Sequence, residues 1–157
     1  MGVKLREAKI PFVILEKNEG LGGTWFENRY PGVRCDVPNH YYSFSFDRND
    51  DWPNYYSKGE DIEKYLQAFG KKFGIYENTK FSTRVSSCEF NSKNNLWHIQ
   101  ASDAQDNDIY FKAHFVVSAT GQLNIPAYPK LEGIKEFEGE AIHTAEWSED
   151  IEINNKK

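Results

Sequence analysis

The 157-residue chain is short of cysteine, of long apolar runs and of clustered basic residues, and each shortage closes off a class of function. Its two cysteines, Cys35 and Cys88, stand far apart, in neither a CxxC pair nor a metal-ligand spacing. A disulfide framework, a dithiol redox centre and a thiolate metal site are therefore not expected, and the reading is free thiols in a reducing compartment. No apolar run approaches the ~20 residues of a membrane-spanning helix, so no membrane partner is expected. Nineteen Lys and Arg against 24 Asp and Glu give a net charge of −5 with no basic run, which argues against nucleic acid. The opening MGVKLREAKIPFVILE carries charges at positions 4, 6, 7 and 9, so it lacks the uninterrupted apolar core of a signal peptide. Gly2 suits a myristoylation start, but Arg6 stands where that motif has Ser or Thr. The expected location is the cytoplasm. A GxGxxG turn is missing from the whole chain.

What is present describes one folded domain's worth of sequence. Apolar residues make up 39% and aromatics 15%, too much for a disordered chain. Residues 3–7 read as the tail of a helix, and Pro11 ends it. Phe12-Val13-Ile14-Leu15 is a short continuous apolar run, the pattern of a strand buried on both faces of a parallel sheet, and Glu16 closes it. Ile62, Tyr65, Leu66, Phe69 and Phe73 form one stripe of an amphipathic helix over 60–73. Strands are expected at roughly 80–90, 95–101 and 109–118, separated by the turn-prone NSKNN and DAQDND, as in an antiparallel meander. The third of these runs into Phe115-Val116-Val117 and ends in ATGQ. Beyond Pro126 the chain reads as loop, closing in the polar tail INNKK.

Residues 20–36, GLGGTWFENRYPGVRCD, have neither a helical nor a strand period, yet carry too many aromatics for a linker. Gly22 and Gly23 lack side chains, which lets backbone N–H groups close on a pyrophosphate that a Cβ would hold off. Thr24 adds a hydroxyl, and Trp25 a flat apolar wall. An ordinary glycine turn over a buried Trp fits the same residues. Pro31 and Gly32 make a stiff turn that fixes Arg34, Cys35 and Asp36, where Asp36 alone also reads as a turn-capping residue. Cys35 has no base near it in sequence and is not a candidate nucleophile. Helix end, buried strand and terminal Glu16 stand in the order of a Rossmann βαβ unit, whose second strand ends in an acid that takes the ribose hydroxyls. By itself, a strand-end Glu is also an ordinary solvated terminus.

Taken together, EKNEGLGGTWFENRYPGVRCDVPNHYYSFSF, SATGQL and FEGEAIHTAEW resemble the FAD domain of class B flavoprotein monooxygenases, the Baeyer–Villiger monooxygenases in particular. The last segment, residues 137–147, is similar to the fingerprint FxGxxxHxxxW. The resemblance covers about residues 1–150 with three motifs in order. It implies an α/β fold: a partial Rossmann-like FAD-binding domain over 1–136, with a parallel sheet containing 12–16 and 114–119 and an antiparallel β-meander beside it. Residues 137–157 would be a linker towards an NADP-binding domain. It also implies that the first strand and its Gly-rich turn lie upstream of Met1, that 1–157 alone would neither hold FAD tightly nor oxygenate, and that the chain is a fragment.

The site residues implied are Glu16 at the ribose, Gly22, Gly23, Thr24 and Trp25 along the dinucleotide, and Arg34, Asp36 and Tyr42 towards the flavin. The Val85 backbone would read the adenine, and Thr120 and Gly121 would abut the cofactor at a strand end. Asp36, near both the isoalloxazine and the nicotinamide, is the catalytic candidate. Tyr42 reads equally as a core aromatic, and Ala119-Thr120-Gly121 as a plain tight turn. His143 reads either as polar surface or as the fingerprint residue of conformational role. The cofactors implied are FAD and NADPH, with no metal, and the partners are O2 and a small ketone-like substrate. In such enzymes NADPH reduces FAD, and the reduced flavin activates O2 for insertion into a ketone to give an ester or lactone. Ser148 follows Trp147 where the fingerprint has Pro or Asp, which keeps N- or S-oxygenating relatives open. A non-catalytic gene product that binds no cofactor also stays open, whereas a disulfide reductase would need the cysteine pair that is missing.

Overall fold

The computed structural model describes residues 1–148 together with Asp150 and Ile151, so the whole of the INNKK tail lies outside the described residues. The chain divides into two compact units, Met1–Leu21 with Gln67–Thr120, and Gly22–Leu66 with Gly121–Lys157. Among the described residues no helix is long and apolar enough to cross a membrane.

The first unit begins with helix α1 (Gly2–Glu7), the helix tail anticipated before Pro11. Val3 is buried, and Gly2 allows Ile75, Phe12 and Ile14 to approach so closely that a Cβ would meet the Ile75 side chain at 3.2 Å. Strand β1 (Ile14–Leu15) pairs in parallel with β2 (Thr79–Lys80), in the register Ile14 with Thr79 and Leu15 with Lys80. The parallel partner of FVILE is thus not 114–119. That segment leaves the meander without regular structure, with Phe115 88% and Val117 60% exposed. An apolar run indicates that a segment tends towards burial, but not which strand it pairs with, and here β2 lies beside β1 instead. The expected strand at 80–90 is also divided. Phe81–Thr83 interrupts it, with Ser82 at φ 48°, before β3 (Arg84–Asn91) begins.

The meander itself forms as expected. Strand β3 pairs antiparallel with β4 (Leu96–Ser102), and β4 with β5 (Asp108–Ala113), with a bulge between Val85 and Ser87. Both connections are built by side-chain acceptors. The Asn91 side chain accepts from Lys93 N–H at 2.9 Å and that of Asn94 from Leu96 N–H at 3.2 Å, while Asn95 takes φ 55°. In the second turn Asp103 Oδ1 accepts from the N–H groups of Gln105 and Asn107, each at 2.9 Å, and Asp106 takes φ 59°. These are the short polar residues that tolerate left-handed backbone and bond locally, which is why the turns were readable. β4, the central strand, buries Ile99 and Ala101.

Helix α3 (Gly59–Lys72), one residue from its expected bounds, gives its first part to the second unit and its last part to the first. Near its end Gly70 faces Leu21 at 2.3 Å from where a Cβ would stand, so Leu21 lies against α3 only because residue 70 has no side chain. In the second unit Ile62 of α3 is completely buried against Trp25 and Cys35, with Val33, Tyr42, Trp52 and Leu66 around them. Trp25 belongs to a single turn of helix, α2 (Thr24–Glu27). Arg29 reaches α3 with a bidentate pair to Glu63, 2.6 and 3.0 Å, and so fixes the RYPG turn to the helix.

A buried polar knot completes this unit. Asn39, 1% exposed, accepts from Ser57 N–H at 3.0 Å, and its amide donates to the Asn54 carbonyl. Its own N–H bonds the Tyr55 carbonyl at 3.0 Å. Asn39→Ala would strand the buried Ser57 N–H and unpair the Asn54 carbonyl, so the unit should lose about 1–3 kcal/mol. Urea denaturation followed by tryptophan fluorescence measures this; an unchanged midpoint would show that the knot contributes nothing.

Candidate flavin-nucleotide site

Of the residues singled out from the sequence, three lie in the first unit together. Glu16 ends β1 and continues its pairing, with N–H to the Lys80 carbonyl at 3.0 Å. Its carbonyl accepts from Thr83 N–H at 2.8 Å, which ties it to the chain entering β3, two residues before Val85. The Glu16 carboxylate is half-buried and held: Oε1 accepts from Asn18 N–H at 2.9 Å, and Oε2 has no hydrogen-bond partner among the described residues. Val85 stands opposite Ala101 beside the bulge, its side chain exposed. A strand-end carboxylate and a bulged strand are therefore joined by one backbone bond, although 67 residues or more of chain separate the motifs in a linear reading. Thr120, also in this unit, is exposed in the irregular segment after β5.

The remaining residues belong to the second unit. Gly22 has φ 146°, and a Cβ there would come within 2.9 Å of Phe26 Cβ. Gly23 has φ 52° and ψ −120°, with open space where a side chain would be. Their carbonyls start the α2 turn by accepting from Trp25, Phe26 and Glu27 N–H groups at 3.0–3.1 Å. Among the described residues the N–H groups of Gly22, Gly23 and Thr24 have no hydrogen-bond partner. At this partly exposed turn such donors are open to water or to a ligand acceptor. Gly121, at φ 74° and exposed, has no heavy atom within 4 Å of its Cβ position.

Trp25 is 8% exposed and so belongs to the core, where its indole N–H donates to the Tyr42 hydroxyl at 2.8 Å with the two rings edge to face at 5.7 Å. Both open readings of Tyr42 meet here: it is packed on the core, and its half-buried hydroxyl is an acceptor. Burial raises the Tyr42 hydroxyl above its ordinary 10.0; the Trp25 bond opposes this, and the charges of Cys35 and Asp36 add to it. Asp36 itself is exposed, one residue from the buried Cys35, whose N–H bonds the Ser57 carbonyl at 3.0 Å and whose sulfur accepts from Val37 N–H at 3.5 Å. That locked, buried thiol has no access for a nucleophilic role. Arg34 is exposed, with Nη1 donating to the Tyr56 carbonyl at 3.3 Å, and its backbone bridges Lys58.

Sequence reading missed the residues that hold this arrangement rigid: Asn39, Ser57 and Glu63. Asn39 sits in an unremarkable PNHYY segment, and nothing in its neighbours signals a buried amide. Glu63 was visible only as a polar position on α3; its service to Arg29, 34 residues away, is a tertiary fact.

Because the folded-state pKa of Tyr42 is raised, its contribution to stability is full below about pH 10 and is lost as pH climbs through the folded value. Thermal stability should therefore fall as pH rises above about 10. Tyr42→Phe should remove part of that alkaline slope while lowering stability at neutral pH. Melting curves of both proteins between about pH 8 and 11 make the comparison, and equal slopes would mean that Tyr42 is not perturbed.

The chain matches the family described as flavin-binding monooxygenase-like over residues 12–157. It is 38% identical over 158 aligned positions to a Baeyer-Villiger monooxygenase of Pseudomonas aeruginosa, covering 100% of this chain and 29% of that relative. Among solved structures it is similar to cyclohexanone monooxygenase with bound epsilon-caprolactone, at 36% identity and a TM-score of 0.83, over 96% of this chain and 30% of that one. It is also similar to OTEMO in complex with FAD and NADP, at 26% identity and a TM-score of 0.81, over 93% and 27%. The chain thus spans less than a third of the length of each of these three proteins.

Proposed function

The chain belongs to the flavin-binding monooxygenase-like family, and we propose that it supplies part of the FAD-binding domain of a Baeyer–Villiger-type oxygenase. The observation that carries the reading is the Gly22–Gly23 turn. One glycine leaves no room for a Cβ, the other faces open space, and three successive N–H groups in and after it lack partners among the described residues. That donor set suits the diphosphate of FAD. The first unit supports the adenosine end, with Glu16 Oε2 open to a ribose hydroxyl and the bulged backbone at Val85 two residues beyond the Thr83 N–H that bonds the Glu16 carbonyl. In this proposal Thr24 and Trp25 continue the dinucleotide contact, Trp25 acting through Tyr42. Arg34, Asp36 and Tyr42 face the flavin, and Thr120 and Gly121 lie against the cofactor. Residues 1–136 are the FAD-binding part, and 137–157 lead towards an NADP-binding domain.

The reaction proposed is ketone + O2 + NADPH + H+ giving ester or lactone + NADP+ + H2O. Bound FAD would supply the two-electron chemistry that activates O2. The chain's own residues bind and orient. Asp36 is the catalytic candidate: an exposed carboxylate on a stiff PG turn, it would orient the nicotinamide against the flavin ring. The substrate class proposed is a ketone. Ser148 after Trp147, where the fingerprint has Pro or Asp, is the feature that favours an N- or S-oxygenating relative instead. Two free thiols, Cys35 buried and Cys88 exposed, suit a reducing compartment, and the cytoplasm is the proposed location.

The test restores the full-length context by grafting residues 12–157 into the matching segment of cyclohexanone monooxygenase. The chimera should retain FAD, oxidise NADPH and convert cyclohexanone to its lactone. Within it, Glu16→Ala should weaken FAD retention by about 1–3 kcal/mol, for lost bonds to a charged acceptor. Asp36→Ala should leave FAD bound and slow its reduction by NADPH in stopped-flow absorbance. Unaltered reduction would remove Asp36 from the site, and a colourless chimera would remove the flavin reading.

A further inference from the structure

The segment resembling the fingerprint carries a local arrangement that the proposed function does not use. His143 precedes a short turn, Thr144–Glu146, and caps it: its Nδ1 accepts from Ala145 N–H at 3.1 Å. The turn closes by Glu146 N–H to the His143 carbonyl at 2.8 Å and Trp147 N–H to the Thr144 carbonyl at 3.3 Å. A ring nitrogen that accepts from an amide carries no proton, so in the neutral imidazole the proton is on Nε2. Tyr128, 15 residues earlier, holds both ends of this turn. Its hydroxyl accepts from His143 N–H at 3.4 Å and donates to the Glu146 carboxylate. Its ring meets the imidazole edge to face, with centroids 5.6 Å apart and planes at 63°.

We propose that Tyr128, anchored by Glu146, is a positioning residue that sets the tautomer of His143, making Nε2–H the ring's one donor towards an acceptor oxygen. The proposal rests on the flavin-oxygenase reading only for the meaning of that donor, since the cap itself is visible in this chain. The reasoning is geometric. The Nδ1 bond to Ala145 exists only while the turn stays closed over its N-cap. Among the described residues, Tyr128 is the side chain seen to join the two ends of the turn. Hydrogen bonding to the Glu146 carboxylate raises the Tyr128 hydroxyl above its ordinary value, so Tyr128 stays a donor throughout the neutral range. Glu146 is required only as an acceptor. A neutral amide oxygen there serves the same purpose, whereas a methyl group does not.

Long-range 1H–15N spectra of the 157-residue chain, labelled at histidine, read the tautomer directly and need neither flavin nor activity. The His143 signals are assigned by their disappearance in His143→Gln, and the Trp25 indole N–H signal, from the same unit, serves as the check on folding. In the unaltered chain Nδ1 of His143 should show the pyridine-type shift of an unprotonated acceptor. Tyr128→Phe should lower the ratio of Nε2–H to Nδ1–H tautomer by about tenfold, the equilibrium equivalent of one net hydrogen bond. Glu146→Gln should keep the ratio of the unaltered chain, and Glu146→Ala should behave like Tyr128→Phe. A protonated Nδ1 in the unaltered chain overturns the proposal without any substitution, and so does a ratio indifferent to Tyr128→Phe. Since no cofactor enters the measurement, failure of the flavin reading would leave this result standing, and the reverse holds too.

Discussion

One hydrogen bond, from the Trp25 indole to the Tyr42 hydroxyl at 2.8 Å, governs the second unit. Trp25 begins just after the glycine turn, and Tyr42 stands just beyond Arg34, Cys35 and Asp36. The bond and the edge-to-face rings therefore close the whole loop on itself. The small core around it is packed against that closure. Ile62 of α3 seals the apolar side, Cys35 fills the space beneath, and Asp36 is left outside on the solvent face. An indole N–H buried without an acceptor would cost a desolvation penalty that the Tyr42 oxygen removes. A loop with no helical or strand period can be rigid, and this is how.

The polar interior reinforces the same loop from the far side. Asn39 satisfies backbone groups at Asn54 and Ser57 that no strand or helix would satisfy, and Ser57 in turn accepts from Cys35 N–H. Arg29 and Glu63 add a bidentate ion pair where the loop crosses α3. Irregular backbone brings many unpaired N–H and C=O groups, and burying it requires side chains that act as their partners. The abundance of Asn, Asp, Tyr and Arg in residues 28–57 has that physical cause. In the first unit the corresponding device is simpler. Glu16 serves as strand end, as backbone partner of Thr83 and as a held carboxylate, so three roles fall on one residue.

The meander and α3 were legible because their signals are local. Asn and Asp at the turns carry their own hydrogen bonds, and a stripe at helical spacing is a statement about one element. The segment Phe115-Val116-Val117 was misread for the opposite reason. Its composition is that of a buried strand, but a strand is defined by a neighbour, and β1 pairs with Thr79–Lys80. The candidate site was legible as a set of residue types in order. Gly22 and Gly23 do take the backbone conformations that only glycine adopts easily. Trp25 was legible as important while its neighbour was not, because an indole can wall a ligand or a core and only packing chooses.

By itself the sequence determined the turns of the meander, the amphipathic face of α3 and the glycine backbone of the Gly22–Gly23 turn. Those properties depend on φ, ψ and on side chains bonding within a few residues of themselves. Tertiary structure alone decided which strand β1 pairs with, that Trp25 turns inward to Tyr42, that Asn39 is buried, and that Tyr128 reaches the ends of the His143 turn. Each of these joins residues 15 or more apart in the chain. Such contacts are selected by competition among all compact arrangements for burial and for hydrogen-bond partners, and no local spacing records the outcome of that competition.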